Sequence, residues 1–498
     1  MLIFVRLKKF QQTALAVFFL FPVLSCRKDV ITTSSSAKLG FSSNALSFDT
    51  AFTTIGSVTQ YFQVYNNNSN AVTVSSIRLG GGNNSPFRLN VDGVAGKVFG
   101  STTIHGKDSL FVFVAVTVNP NDQNSPLIIR DSILFETNGN QQKVMLEAWG
   151  QDAHYIKPKP GSFIPLSDGT GLYYSIIPCN TTWGLTDNKP YVIYDYAVVD
   201  SGCTLTILPG VKVYMHINSV LWVYNDGTLN IQGSAAEPVV FQGDNLLSSY
   251  QYNAGQWGKI WLSPGSKDNT MDWAVIKNGI IGVEADTNVD RIPTLAMSHC
   301  LIENMTGAAI YGLGSIINAD NCVFANCQQY CGAFIYGGTY QFNQCTFADY
   351  WAGTNQRTSP AVLINNNYEP ASGGPQIVRP LSAYFGNCII YGNSQDSEIG
   401  LDSAIIANYF HYKFDHCLLK VQGSYSSSRS FSSHNIKVVL NQNPFSSFSN
   451  PNTDVYTILA KGPAAGTADS SIVNMYPIDI KNMNRLSMGE YDIGAYEH

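Results

Sequence analysis

Cys300-Leu301-Ile302-Glu303-Asn304 returns in altered form as Cys322-Val323-Phe324-Ala325-Asn326 and again as Cys345-Thr346-Phe347-Ala348-Asp349. Further copies are Cys388-Ile389-Ile390-Tyr391-Gly392 and Cys417-Leu418-Leu419-Lys420, and Ala274-Val275-Ile276-Lys277-Asn278 precedes the series with alanine in the thiol's place. A repeat of about 22 residues with longer excursions is the signature of a solenoid, in which each repeat is one coil and inserts project at the turns. Alternate side chains of a strand share a face, so the cysteine and the apolar residue two places on point the same way. Equivalent residues of successive parallel coils stack about 4.7–4.9 Å apart. The pattern predicts a column of thiols and a column of Ile/Phe side chains facing one dry interior. The trailing Asn or Asp is expected at a turn, where it tolerates the left-handed conformation and bonds nearby backbone. Stacked Asn side chains can also bond one another up such a column.

Upstream, Cys203–Gly233 reads CTLTILPGVKVYMHINSVLWVYNDGTLNIQG and leads into Glu237-Pro238-Val239-Val240-Phe241. Leu208-Pro209-Gly210-Val211 and the run from Gly227 to Gly233 resemble the opening coils of right-handed parallel β-helix proteins, the pectate-lyase-like superfamily. Asp492-Ile493-Gly494-Ala495-Tyr496-Glu497 resembles the terminal tag of bacterial members of that group. The likeness is interrupted by an irregular stretch over residues 350–385. Tyr155–Lys189 is expected to serve as linker and N-terminal cap, because an open coil end is an unpaired β edge.

The preceding stretch alternates in period two between turn signals. Tyr61–Tyr65, Ala71–Leu79, Ser109–Val118, Ser132–Thr137 and Lys143–Trp149 read as strands, separated by turns such as Asn66–Asn70 and Gly80–Asn84. Short strands with frequent turns indicate a β-sandwich. The run from Asp49 to Leu89, together with DSILFETNG and VMLEAWGQDA, resembles immunoglobulin-like domains of the abnormal-spindle and hydin type, which usually act as spacers or contact modules.

At the N-terminus, Arg6, Lys8 and Lys9 precede the apolar run Thr13–Leu24. That run is shorter than the roughly 20 residues a spanning helix needs, but it suits a signal peptide. Val23-Leu24-Ser25-Cys26 resembles the lipobox of bacterial lipoproteins, which implies cleavage before Cys26 and its acylation. Arg27-Lys28-Asp29 resembles the surface-export signal of Bacteroidetes lipoproteins. The expected organisation is all-β: residues 1–25 signal peptide, 26–37 flexible tether, 38–155 Ig-like sandwich, 156–190 linker and cap, and 191–498 right-handed parallel β-helix. The expected location is the outer membrane, lipid-anchored and facing outward.

Charged residues make up 13% of the chain and the formal net charge is −6, against a usual charged share of about 25%. Phosphate recognition needs a dense Lys/Arg field, so nucleic acid is excluded as a partner. Of the ten cysteines, five besides Cys26 hold the repeat position and are expected as small core fillers. Pairing of Cys327 with Cys331, or of Cys179 with Cys203, stays open, since connectivity is not readable from sequence. No CxxC or nearby His pair suggests zinc. His299 and His416 each precede a column cysteine and are expected outside, in water.

Two clusters are candidates for function. Trp257 and Trp261, with Tyr250 and Tyr252 upstream, are expected as a glycan platform, aromatic faces stacking on sugar rings. Glu284, Asp286, Asp290 and Arg291 form an acidic cluster expected on an insert between coils. It suits a polysaccharide lyase if it holds Ca²⁺ with Arg291 as base; no other cofactor is expected. The favoured reading is non-catalytic binding of glycan or a surface protein. A polysaccharide lyase or glycoside hydrolase is the alternative, because paired carboxylates or a Ca²⁺ cluster are what such chemistry needs, and the fold alone does not choose.

Overall fold

Each thiol-led segment forms one rung of a parallel sheet. Ile276, Ile302, Phe324, Phe347, Ile390 and Leu419 lie in register on successive strands, and all are buried. Cys300, Cys322, Cys345, Cys388 and Cys417 immediately precede these rungs and are buried free thiols. The column is in contact with itself: Cys300 donates its backbone N–H to Cys322 Sγ at 3.4 Å, and Cys388 does the same to Cys417 Sγ at 3.4 Å. Burial pushes the Cys322 and Cys388 thiols well above their ordinary range, so they serve as neutral packing groups and not as nucleophiles.

The computed structural model describes residues 30–52, 59–117, 127–166, 170–246, 250–287, 294–353, 357–369, 374–394, 396–404, 408–422, 430–438, 448–450 and 455–498. The expected signal peptide and Cys26 lie outside the described residues. The chain divides into two compact units, residues 1–152 and 153–498.

The second unit is a parallel β-helix with three sheets. Among the described residues, sheet 1 has 11 strands, from His154–Ile156 to Ile436–Val438. Sheet 2 has 10 strands, from Phe163–Pro165 to Ile399–Asp402, and sheet 3 has nine, from Thr181–Trp183 to Phe410–Asp415. One coil visits each sheet in turn: Ala274–Lys277, Ile281–Asp286 and Leu295–Ser298, before Leu301–Glu303 resumes sheet 1. Within these three sheets, among the described residues, pairing is parallel except for the opening hairpin of Phe163–Pro165 with Gly171–Ile176.

The corners explain the repeat. Before each column position the chain bends sharply, and Trp273, His299, Asn321, Gln344, Asn387 and His416 take φ between 48° and 52°. At the next corner Asn278, Asn304 and Asn326 have φ of 69°, 59° and 50°. Asn enters the left-handed region more readily than most residues, and Asn304 Nδ2 donates to Asn278 Oδ1 at 2.6 Å, the expected ladder.

His299 and His416 depart from expectation. Each occupies a bend instead of a strand, so alternation does not turn it into water. His299 stacks on Trp273 with ring centroids 4.3 Å apart and contacts Asp272 Oδ1 at 3.1 Å. His416 stacks on His434 at 4.5 Å.

Coiling also starts earlier than expected. His154–Ile156 already pairs in parallel with Tyr191–Ile193, so part of the expected linker is a rung. Cys179 and Cys203 form a disulfide, each just before a strand of the pair Thr181–Trp183 and Thr204–Ile207. It staples the first two rungs of sheet 3. Cys327 and Cys331 are buried free thiols. The irregular stretch holds the small antiparallel pair Asn367–Tyr368 with Ile377–Val378, and Arg357 anchors it through Glu398 at 2.7 Å, both buried.

Over its later rungs sheet 1 is buried on both faces, as a near-continuous apolar strand pattern implies. Val323, Ala348, Ile389 and Leu418 on its outer side pack against Tyr456, Ile458, Ile493 and Ala495 of the C-terminal segment. The terminal tag is therefore a clasp laid over the rungs.

The first unit is the expected Ig-like sandwich. One sheet orders Gly40–Phe41, Gln60–Tyr65, Ser109–Val116, Phe87–Val91 and Val94–Gly96. The other includes Ala45–Phe52, Asn140–Gln151, Leu127–Thr137 and Val72–Leu79. Phe48, Phe62, Phe87 and Phe135 fill the space between them. Asn138 and Gly139, at φ 49° and 78°, close the hairpin between the two longest strands, the geometry a two-residue primed turn requires. The Ser/Thr-rich stretch expected as a free tether instead lies along this unit. Thr32 donates its N–H to Ala71 O at 2.9 Å, Asn138 Nδ2 donates to Thr32 O and Ser34 O at 3.1 Å, and Ala37 is buried.

Candidate functional site

Sheet 2 carries the candidate site on its outer face. Leu221 and Val223, then Ile260 and Leu262, point into the core, so alternation turns Trp222 and Trp261 outward. Parallel register sets Trp222 beside Trp261, Trp261 beside Glu284 and Glu284 beside Tyr311. The two indoles stack with centroids 4.9 Å apart and planes 16° from parallel, which is the rung spacing of the sheet. Tyr224 and Tyr196 meet Trp222 edge-on at 5.4 and 6.2 Å.

Charged groups sit against this stack. Lys259 Nζ donates to Glu284 Oε1 at 2.7 Å and lies 4.7 Å from the Trp261 ring centre. Trp261 Nε1 donates to Asp286 Oδ2 at 2.7 Å. Asp286 is only 5% exposed, and its Oδ1 is buried without a hydrogen-bond partner among the described residues. Burial pushes the Asp286 carboxyl above the usual range and the nearby Glu284 adds to this, while the Trp261 hydrogen bond and Lys259 oppose it. Burial, then Glu284, also raises the Tyr311 hydroxyl. The arrangement offers the aromatic surface that the stacked pair leaves outward beside a carboxylate–ammonium pair, chemistry suited to a sugar ring's apolar side and its hydroxyls.

The sequence-predicted residues separate. Trp257 is a correction: it is 0% exposed, and its Nε1 donates to Lys277 O at 2.9 Å. It stands at the turn before Lys259–Leu262, where strand alternation has not begun, and its ring packs against Gly279. Tyr250 and Tyr252 are exposed, Tyr252 at 67%. Their loop is tied to the Asn corner, since Asn278 Nδ2 donates to Gln251 O and Asn304 Nδ2 to Tyr252 O. Among the described residues neither tyrosine makes a ring contact with Trp222 or Trp261. Glu284 and Asp286 belong to the strand Ile281–Asp286 and not to an insert, a second correction. Asp290 and Arg291 lie outside the described residues. Among the described residues, no group of three or more His, Cys, Asp or Glu side chains is placed to hold a metal ion.

Trp222 is the residue sequence reasoning missed. The signal was present: Val220-Leu221-Trp222-Val223 and Lys259-Ile260-Trp261-Leu262 share one tetrad pattern, apolar residues flanking an outward indole.

An immunoglobulin-like sandwich followed by a parallel β-helix defines the class of this protein. More narrowly, a family model described as a pectate-lyase-like beta helix domain matches residues 178–292. Among solved structures, the catalytic unit of a thermostable GH87 alpha-1,3-glucanase from Streptomyces thermodiastaticus is similar at 8% identity and TM-score 0.21, over 77% of this chain and 90% of that one. A PapD-like domain of human CEP192 is similar at 13% identity and TM-score 0.17, over 26% of this chain and 94% of that one. A family 123 glycoside hydrolase from Clostridium perfringens is similar at 13% identity and TM-score 0.18, over 25% of this chain and 29% of its own. The chain thus spans under a third of that hydrolase, and scores at this level bear on neither activity nor substrate. No curated protein matches the sequence.

Proposed function

We propose that the β-helix binds glycan on the outer face of sheet 2. The observation that carries this reading is the Trp222–Trp261 stack with the Lys259–Glu284 pair against it. Sugar rings lay their apolar side against the aromatic surface that the stacked pair leaves outward, and Lys259 and Glu284 receive the hydroxyls. Buried aromatic anchors dominate such contacts, each worth about 2 kcal/mol or more when truncated. Titration calorimetry against neutral and acidic oligosaccharides is expected to find a ligand whose affinity falls by about 30-fold or more in Trp222→Ala and in Trp261→Ala. A ligand bound equally well by both variants would place recognition elsewhere.

The presentation proposed for this unit is at a membrane surface, through acylated Cys26. Several acyl chains on one anchor make attachment stable. Cys26→Ala is expected to move the protein from the membrane fraction to the soluble fraction on ultracentrifugation, and a variant that stays with the membrane removes the anchor.

Glycoside hydrolysis is the second reading, and one observation favours it. Asp286 and Glu284 share a strand face in unlike surroundings, one raised by burial and one paired with Lys259. A carboxyl raised by burial beside an ion-paired carboxylate is an arrangement that can divide acid and base roles. Reducing-end release from the bound glycan, lost in both Asp286→Asn and Glu284→Gln, would select this reading over simple binding.

A further inference from the structure

The N-terminal end of the β-helix holds a second site, whose Tyr174 and Ile176 lie on sheet 2 two rungs before Trp222. A cavity of about 460 Å³ lies among the first strands and the segment leading into them. Its floor is apolar: Ile177 and Trp183 are both core residues. Ile176, on its wall, is left 57% exposed. Lys157 and Lys159 are exposed lysines on its lining, and no acidic side chain of the described residues lines it. Ser175 Oγ, also on the lining, is buried without a hydrogen-bond partner among the described residues.

These features belong together. Ligand cavities of roughly 300–1,000 Å³ are mostly apolar with a few polar groups that fix orientation. Two ammonium groups without a lining carboxylate favour a negative headgroup at close range. The remaining lining rewards burial of apolar surface, at about 25 cal/mol per Å². We propose that this cavity binds an amphipathic anion, with its headgroup between Lys157 and Lys159 and its apolar body on Ile176, Ile177 and Trp183. A free fatty acid and an aromatic acid share that chemistry.

The test uses the full chain and two fluorescent probes of similar shape, 1-anilinonaphthalene-8-sulfonate and the uncharged N-phenyl-1-naphthylamine. The sulfonate is expected to bind saturably at one site per chain. Reversing both charges, with Lys157→Glu and Lys159→Glu, is expected to weaken it by about 10-fold or more, a factor of ten being about 1.4 kcal/mol. The uncharged probe should change by less than about 2-fold. The milder pair Lys157→Gln and Lys159→Gln keeps the comparison usable if charge reversal disturbs folding, and is expected to weaken the sulfonate by about 3-fold or more. Displacement of the sulfonate by decanoate assigns an acyl source, and displacement by naphthoate alone assigns an aromatic one. Unchanged sulfonate affinity in both lysine pairs overturns the proposal. So does displacement by glucuronate with no effect of decanoate or naphthoate, because that ligand has no apolar body.

Discussion

Arg485→Ala is expected to destabilise the β-helix by about 3–5 kcal/mol, the range for removing one partner of a buried ion pair. Arg485 is wholly buried. Its guanidinium donates to Glu497 Oε2 at 2.7 Å, to Gly494 O at 2.9 Å and to Asn321 Oδ1 at 3.1 Å. The first two bonds hold the terminal tag, and the third ties it to a corner between sheets 3 and 1. The tag in turn covers the outer apolar side of sheet 1, where Gly494 at φ 99° leaves no room for a methyl group: a Cβ would come within 2.7 Å of Ile389 Cδ1. Without Arg485, the Glu497 carboxylate is stranded and the clasp loosens over an apolar surface. Urea unfolding followed by far-ultraviolet circular dichroism should show the loss. Glu497→Ala should cost a similar amount, and the double variant should cost clearly less than the sum, since both singles break one pair. Additive losses would mean that the pair does not act as a unit.

Phe385→Ala should cost about as much, roughly 3–5 kcal/mol for emptying a packed aromatic site. Phe385 is in register with Phe342 below and Phe414 above. It stacks on them at 5.2 and 4.9 Å and meets Phe347 edge-on at 5.9 Å. A solenoid's stability is a sum of repeat and neighbour terms, so the loss should be local. Hydrogen exchange is expected to rise in the coils carrying Phe342, Phe385 and Phe414 and to stay unchanged near Trp183. Uniform loss of protection along the whole helix would contradict nearest-neighbour stacking.

The core of the fold was legible because a solenoid writes its geometry into spacing. The thiol and the Ile/Phe two places on had to share a face, and the trailing Asn had to turn, so one pentapeptide fixed both a column and a corner. Corners defeated the same logic elsewhere. His299 and His416 looked outward by alternation, yet a bend in the left-handed region separates them from the strand, and each finds an aromatic partner instead. Trp257 failed for the same reason, one turn before its strand begins. Trp261 could be read as outward, but its partner Trp222 is in another coil, and nothing local joins them until parallel register is imposed. The covering role of the Asp492–Glu497 tag was hidden for a similar reason: Arg485 meets Asn321 across 164 residues of sequence.

Every feature of the sheet 2 site depends on coils stacked in register around a thiol column. Timed alkylation of native and unfolded protein, with each cysteine followed by mass spectrometry, tests that stacking most directly. Cys300, Cys322, Cys345, Cys388 and Cys417 should stay unlabelled in the native chain and react fully once unfolded. Native labelling of these five at the rate of an exposed thiol would contradict the stacked core, and with it the alignment of Trp222 with Trp261.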